Sequence, residues 1–365
     1  MRLLLFSDLH LEAGFVWAGP EAGRARRRAL RECLRAITTL AVTLRAEALC
    51  CAGDLYEQDR FRPDTVHFLR ECFAELSPVP VLLAPGNHDW LGPSSLYRQA
   101  QWSSNVHLFE EERLTPLTLV DGLTMWGGAH HSPANARGFL DGFRVDRGGV
   151  NLALFHGSEQ GGMAFQDPDK VPHAPFRAEQ IHAAGLHHAL VGHFHKPRDA
   201  ADHTYPGNPE PLTFGEAGDR GAVLMTIDDS GGVTRERHRV AVTEVNDVAV
   251  DLDGVIHAGQ VQDQIDAALA DVKGTVRVTL HGEVAPDVDV EPGDLVRPSH
   301  LDAWVVVTSK IRYGYDLYAL AGEPTVRGQF VRDVQAAGDL TNEDRRKVLI
   351  TGLRAFDRRD DLEVR

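Results

Sequence analysis

Five short apolar runs in this chain each end in residues that bind metals, and few folds can satisfy all five at once. They are Leu3-Leu4-Leu5-Phe6 ahead of Asp8-Leu9-His10, Ala48 to Ala52 ahead of Gly53-Asp54, and Val81-Leu82-Leu83-Ala84 ahead of Gly86-Asn87-His88-Asp89. Leu152-Ala153-Leu154-Phe155 then leads into His156, and Ala189-Leu190-Val191 into Gly192-His193-Phe194-His195. Runs of this length, bounded by Gly, Pro or polar residues, read as strands buried on both faces of a parallel sheet. Open α/β sheets hold ligands in the crevice at the carboxyl ends of their strands. Every candidate donor falls at that end, so the pattern predicts one shared polar site. Gly53, Gly86 and Gly192 stand where each strand must turn sharply, and a positive φ, which glycine adopts without steric cost, is expected there.

Asp8, His10, Asp54, Asn87, His156, His193 and His195 offer more donors than one tetrahedral ion accepts. Divided between two ions that share a bridging carboxylate, they supply about four donors each. Mixed imidazole, carboxylate and amide oxygen donors suit Mn, Fe or Zn rather than Ca or Mg. Two ions about 3.5–4 Å apart clamp the attacking and leaving oxygens of an in-line phosphoryl displacement and lower the pKa of a bound water. The donor set therefore points to a binuclear hydrolase of phosphate esters.

In this order, D-x-H, G-D, G-N-H-D, a lone strand-end His and G-H-x-H resemble the calcineurin-like metallophosphoesterases. Tyr205-Pro206-Gly207-Asn208, followed by a strand over Ala222 to Asp228, is similar to the SbcD and YhaO DNA-repair nucleases within them. Pro324 to Arg332, and Leu353-Arg354-Ala355-Phe356 followed by Asp361-Leu362-Glu363-Val364, are similar to the YhaO branch. The resemblance implies one ion on Asp8, His10 and His195, a second on Asn87, His156 and His193, and Asp54 bridging them. It implies two Mn ions, with Fe or Zn an option at one position. His88 then faces the scissile phosphate as a general acid. Asp89 is expected to orient one of these rings, or else to cap a helix ahead of Gly92-Pro93. Glu57, after Gly53-Asp54-Leu55-Tyr56, replaces the Asp of many relatives, with no loss of chemistry expected. The activity implied is a Mn-dependent DNA exonuclease, with endonuclease action as an extension. Rivals with the same core are a cyclic-nucleotide or small-molecule phosphodiesterase, a phosphatase, and an inactive scaffold.

The chain carries 38 Lys and Arg against 53 Asp and Glu, a net charge of −15 that sits awkwardly with DNA as substrate. Bound divalent ions would offset this locally, and one basic stripe exists. A helix is predicted from about Arg24 to Ala46, with Leu30, Cys33, Leu34, Ile37, Ala41 and Leu44 facing the core. Arg24, Arg28, Arg31 and Arg35 fall on another face, which either contacts phosphates or is simply solvated. Phe15 and Trp17, just upstream, either stack on a base or pack their own loop. His130 and His131 are expected at the rim of the site at most.

The expected architecture is α/β: a metallophosphoesterase sandwich of two sheets flanked by helices over residues 1–240. A small α/β cap follows over 241–323, and a helical segment over 324–365. In the first part, a helix from about Pro63 to Leu76 lies in the region where relatives form a homodimer, and Gly157 to Pro175 reads as a loop over the cleft. In the cap, strands are predicted at Val248 to Leu252, Val276 to Leu280 and Trp304 to Thr308, with a helix at Gln260 to Val272. Apolar stripes at Val326, Phe330, Val331 and Val334, and at Val348, Leu349, Leu353 and Phe356, either pack on the cap or dock an SMC-like ATPase of the SbcC type. Four cysteines, two of them adjacent on a predicted buried strand, suggest no disulfide framework and a reducing cytoplasm. The apolar run at Met1-Arg2-Leu3-Leu4-Leu5-Phe6 is too short for a signal peptide, and no stretch reaches the ~20 apolar residues that cross a bilayer.

Overall fold

In the computed structural model, residues 1–134, 137–161 and 172–357 are described. The expected Asp361 to Val364 segment and most of the Gly157 to Pro175 loop lie outside them. The chain divides into two compact units, Met1–Val245 and Asn246–Arg365. The first runs past residue 240 because the Val242 and Thr243 amides donate to the Glu210 carboxylate within it.

The first three apolar runs become β1 (Arg2–Phe6), β2 (Ala48–Cys51) and β3 (Val81–Leu83), joined in parallel with β4 (Val106–Leu108). The other two belong to a second sheet. Its strands are β5 (Thr115–Val120), β6 (Leu123–Gly127), β7 (Val150–His156), β8 (His188–Gly192), β9 (Arg198–Asp199) and β10 (His203–Tyr205). Its order is β5-β6-β7-β8-β10-β9, with β6, β7, β8 and β10 parallel. The chain then returns to the first sheet as the hairpin β11 (Gly221–Ile227) and β12 (Val233–Arg239), with β11 antiparallel to β1.

Strand alternation explains why the runs are apolar throughout. Leu3 and Leu5 face the second sheet, in one cluster with Cys50, Leu82, Leu152, Leu154 and Leu190. Leu4 and Phe6 face the other way, with Leu49 and Cys51, against α1 (Gly19–Thr43) and α2 (Pro63–Ala74). Leu30, Leu34 and Ile37 form the buried stripe of α1, and Leu69 and Phe73 that of α2. The short α3 (Leu96–Gln99) adds Leu96 and Tyr97 to this layer. On the far side of the second sheet, Ala153, Phe155, Ala189 and Val191 pack on Ile181 of α4 (Ala178–Ala183). The layers are helix, sheet, sheet, helix.

In the second unit, β13 (Val245–Asp251), β14 (Thr275–Val284) and β15 (Ala303–Tyr313) form a three-stranded sheet, with α5 (Ala258–Leu269) packed on it through Val261, Ile265 and Leu269. Three helices end the described chain: α6 (Leu317–Ala321), α7 (Val326–Ala336) and α8 (Asn342–Phe356). Leu320, Val331, Leu349 and Leu353 make their core, with Phe330 and Val334 against it. Val326, Val348 and Phe356 do not join the predicted stripes inward; all three are exposed, because α7 and α8 bury only a narrow face against each other. Cys33, Cys50, Cys51 and Cys72 are free and buried, and no helix among the described residues is long and apolar enough to cross a membrane.

Leu3 lies in the inter-sheet cluster at the end of β1 remote from the ligand loops. Leu3→Ala is expected to cost about 2–5 kcal/mol, against about 0.5 kcal/mol or less for exposed Val42→Ala. Urea denaturation of both variants measures the difference.

Candidate metal centre

The five strand ends converge where the two sheets meet, and the backbone is bent there in an unusual way. Asp8 (φ 55°), His10 (φ 50°), Asp54 (φ 55°) and His193 (φ 112°) all occupy the left-handed region, which non-glycine residues avoid. Such conformations cost roughly 1–3 kcal/mol each and persist where surrounding contacts over-determine them, most often at functional sites. Backbone bonds between the first two loops do this: Asp8 N to Gly53 O at 3.0 Å, His10 N to Asp54 O at 2.9 Å and Leu11 N to Leu55 O at 3.0 Å.

The glycines need a correction. Gly53 has the expected positive φ, at 90°, but Gly86 and Gly192 do not. Their requirement is space: a Cβ on Gly86 would run into the Asp54 carboxylate, and one on Gly192 into the carbonyl oxygen of Ala52.

Asp54 lies centrally. Its Oδ2 is 3.2 Å from His156 Nε2 and 3.6 Å from His10 Nε2. On one side of it, donor atoms of Asp8, His10 and His195 lie within 4.8 Å of one another, with the His10 and His195 rings 5.2 Å apart. Donor atoms of Asp8, Asp54 and His156 also lie within 4.8 Å of one another, the His156 and His193 rings are 5.2 Å apart, and Asn87 is buried. His10 Nε2 and Asn87 Oδ1 are buried without a hydrogen-bond partner among the described residues. A buried amide oxygen and imidazole nitrogen left open in this way are what a pair of cations would satisfy, so the donors present fit the implied metals. Asp8, His10 and His195 would hold one ion, Asn87, His156 and His193 the other, and Asp54 both.

The far nitrogens of these rings are engaged. His10 Nδ1 meets Glu57 Oε1 at 2.8 Å, His195 Nδ1 meets Glu216 Oε1 at 2.7 Å, and His156 Nδ1 meets the Ala52 carbonyl at 2.9 Å. Such contacts fix the tautomer and leave Nε2 for a metal. Glu57 does more than its place in the sequence suggested, since its Oε2 also reaches His88 Nδ1 at 3.1 Å. His88 is the one exposed ring in this group, 4.7 Å from His10 between centroids. Burial works against charge on both partners. It is outweighed, and Glu57 is held down at about 2 while His88 is held up at about 9 by Glu57 and Asp54.

Asp89 neither orients a ring nor caps a helix. Its buried carboxylate accepts from Asp54 N (3.1 Å), Leu55 N (2.7 Å), Gly86 N (2.6 Å) and the Tyr97 hydroxyl (2.6 Å). It thereby ties the Gly53-Asp54 loop to the Gly86-Asn87-His88 loop. Burial, then the charge of Asp54, pushes its pKa up to about 6.

His130 is not at the rim. It is fully buried beneath the site, with Nε2 2.8 Å from the His156 carbonyl, and burial pushes its pKa down to about 4. His131 turns away to the Glu110 carbonyl at 2.7 Å. His173, which no sequence signal marked, brings its ring 5.5 Å from that of His193.

The proposed DNA contacts divide. Phe15 is buried in the helix-side core, and Trp17 is half-buried on Phe214 with Nε1 bonded to the Leu212 carbonyl at 3.2 Å, so both pack their own loop. Arg31 is neutralised by Glu12 at 2.7 Å and Asp64 at 2.9 Å. Arg24 and Arg28 are exposed on α1.

Asp89→Ala would leave three buried amides and a hydroxyl without their acceptor. A loss of about 3 kcal/mol or more is expected by urea denaturation of the metal-free chain, with the two loops the first to lose protection from hydrogen exchange.

Residues 1–197 match the calcineurin-like phosphoesterase family. Over 267 residues the chain is 26% identical to the DNA double-strand break repair protein Mre11 of Methanopyrus kandleri, covering 65% of this chain and 56% of that protein. The chain thus spans little more than half the length of that curated relative. Among solved structures, a protein of Thermus thermophilus aligns with a TM-score of 0.39, and a dimetal phosphatase from Danio rerio with 0.38. Both are 14% identical, and each alignment covers 65% of this chain and 98% of the other. With the family matched over more than half its length, the chain belongs to the calcineurin-like phosphoesterases.

Proposed function

We propose that this protein is a Mn-dependent DNA nuclease that cleaves phosphodiester bonds, acting as an exonuclease in DNA repair. The observation that carries the reading is the exposed His88, held by the Glu57 carboxylate that also holds His10 and tied through its main chain to Asp54, beside two clusters of donor atoms, Asp8-His10-His195 and Asp8-Asp54-His156, each within 4.8 Å. The similarity to a DNA double-strand break repair protein over 267 residues supports the choice of substrate.

A pair of cations in this site would supply an activated water and offset the negative charge that builds on the phosphoryl and leaving oxygens. The chain's own residues do the rest. Glu57 fixes Nδ1 of His88, which leaves Nε2 to deliver a proton to the departing sugar oxygen. His88 N donates to Asp54 Oδ1 at 2.8 Å, which ties the main chain of His88 to that carboxylate. Arg24 and Arg28, whose side chains are exposed, extend the site with positive charge along the DNA backbone. The ATPase partner and homodimer implied by the sequence resemblance belong to the same reading. For the ATPase, exposed Tyr318, Val326 and Phe356 of the second unit offer apolar surface.

The purified protein with Mn should degrade labelled oligonucleotides, and His88→Ala should lower turnover about 10²–10⁴-fold, the usual worth of a positioned acid. A chromogenic phosphomonoester and a cyclic nucleotide run alongside separate the rivals. Rapid turnover of either with DNA left intact would remove the nuclease reading. Charge reversal at Arg24 and Arg28 should weaken DNA binding and lower the slope of log affinity against log salt by about two. An unchanged slope would count the stripe as a solvated face.

A further inference from the structure

The imidazoles on the two sides of Asp54 are backed by different chemistry. His10 and His195, on the Asp8 side, each turn Nδ1 onto a carboxylate, Glu57 and Glu216. On the Asn87 side, His156 turns Nδ1 onto a neutral carbonyl, that of Ala52. An anionic acceptor behind an imidazole makes it a stronger donor and holds one tautomer more firmly than a carbonyl does. The Asp8 side also carries its own carboxylate where the other side carries the neutral amide of Asn87.

Glu216 is built into place. It is 8% exposed, and its Oε2 accepts from Asn208 Nδ2 at 2.7 Å, Leu212 N at 2.7 Å and Thr213 N at 3.3 Å. Arg220 Nε donates to the Glu216 carbonyl at 3.0 Å, while its Nη1 donates to both Asn208 Oδ1 and the His195 carbonyl. Side chain and main chain of His195 are therefore held by one closed network. With Oε2 saturated by donors, Oε1 is left facing His195 Nδ1 at 2.7 Å. The loop that carries the network is itself pinned, by Trp17 to the Leu212 carbonyl and by Arg26 to the Pro211 carbonyl.

We propose that Glu216 is a positioning residue that fixes His195 as its Nδ1–H tautomer, and so makes the Asp8, His10 and His195 position the tighter of two cation positions, filled first. The inference rests on the two-cation reading of the site. Glu216→Gln tests it sharply. Its amide oxygen must stay where Oε2 accepts three donors, so its NH₂ would face His195 Nδ1 and demand an acceptor there. The proton then moves to Nε2, the atom needed for a metal.

Mn titrations of the full, chelator-stripped chain, followed by calorimetry and by the EPR signal of free Mn, read the two steps without reference to activity. The wild type should bind two Mn in unequal steps. Glu216→Gln should weaken the tighter step about 10–100-fold and leave the other in place, while Asn87→Ala should weaken the other. Combining Glu216→Gln with His195→Ala should weaken the tighter step no further than His195→Ala alone. Nitrogen-15 NMR of the metal-free chain, recorded at a pH high enough for His195 to be neutral, should report the Nδ1–H tautomer of His195 in the wild type and Nε2–H in Glu216→Gln. If Glu216→Gln folds poorly, Asn208→Ala keeps the charge but loosens it, and should weaken the same step by a smaller factor. A tighter step unchanged in both variants overturns the proposal, as does a wild type with two equal steps. A wild type that binds one Mn or none removes the two-cation reading and this inference with it.

Discussion

The carboxylate of Asp89 is the interaction from which the site is built. It takes three backbone N–H groups and a tyrosine hydroxyl in a place closed to water, and the amides come from two loops that begin on different strands. Those loops carry Asp54 and the Asn87-His88 pair. An anion that cannot be hydrated must find donors, and a backbone forced into the left-handed region must be held there. Each need answers the other. The same logic runs through the Asp8 loop, where main-chain bonds to Gly53, Asp54 and Leu55 keep two positive-φ residues in position.

The charge of the chain has to be weighed locally. Asp8, Asp54, Glu57 and Glu216 sit in a small volume with imidazoles between them, and Arg220 reaches this cluster through the Glu216 and His195 carbonyls and Asn208 Oδ1. A surplus of carboxylates around open nitrogen and oxygen donors is costly unless cations complete it. A net charge of −15 is therefore compatible with a phosphate-ester substrate, since the cations, more than the surface, would meet the phosphate. The surface arginines are a weaker resource than the sequence suggests. Arg31 is spent on Glu12 and Asp64, and Arg26 of the same helix is buried against the loop before Glu216.

The two-sheet arrangement explains how seven donors from five strand ends can meet. β1, β2 and β3 bring Asp8, His10, Asp54 and Asn87 to one edge, while β7 and β8 bring His156, His193 and His195 from the opposite sheet. Leucines between the sheets set the gap, and glycines at 86 and 192 let the loops approach where any side chain would collide. The interior packing and the open site are therefore one construction, and a volume change in the first would be felt in the second.

The apolar runs, the donors that end them, the amphipathic face of α1 and the strand pattern of the second unit were all legible in the chain, because each is written within a window of a few residues. Local sequence decides which strands form and which chemical groups stand at their tips. It could not show that Glu216 backs His195 across 21 residues, that Asp89 accepts amides from a loop 35 residues earlier, or that His130 lies beneath the site. Nor could it show that Phe15 is core, or that two of three glycines are needed for closeness instead of φ. Those outcomes depend on which surfaces the two sheets bring together. A side chain's partner is set by packing over long loops, and an acid, an imidazole or an aromatic ring carries the same letter whether it meets a metal, a backbone amide or another ring.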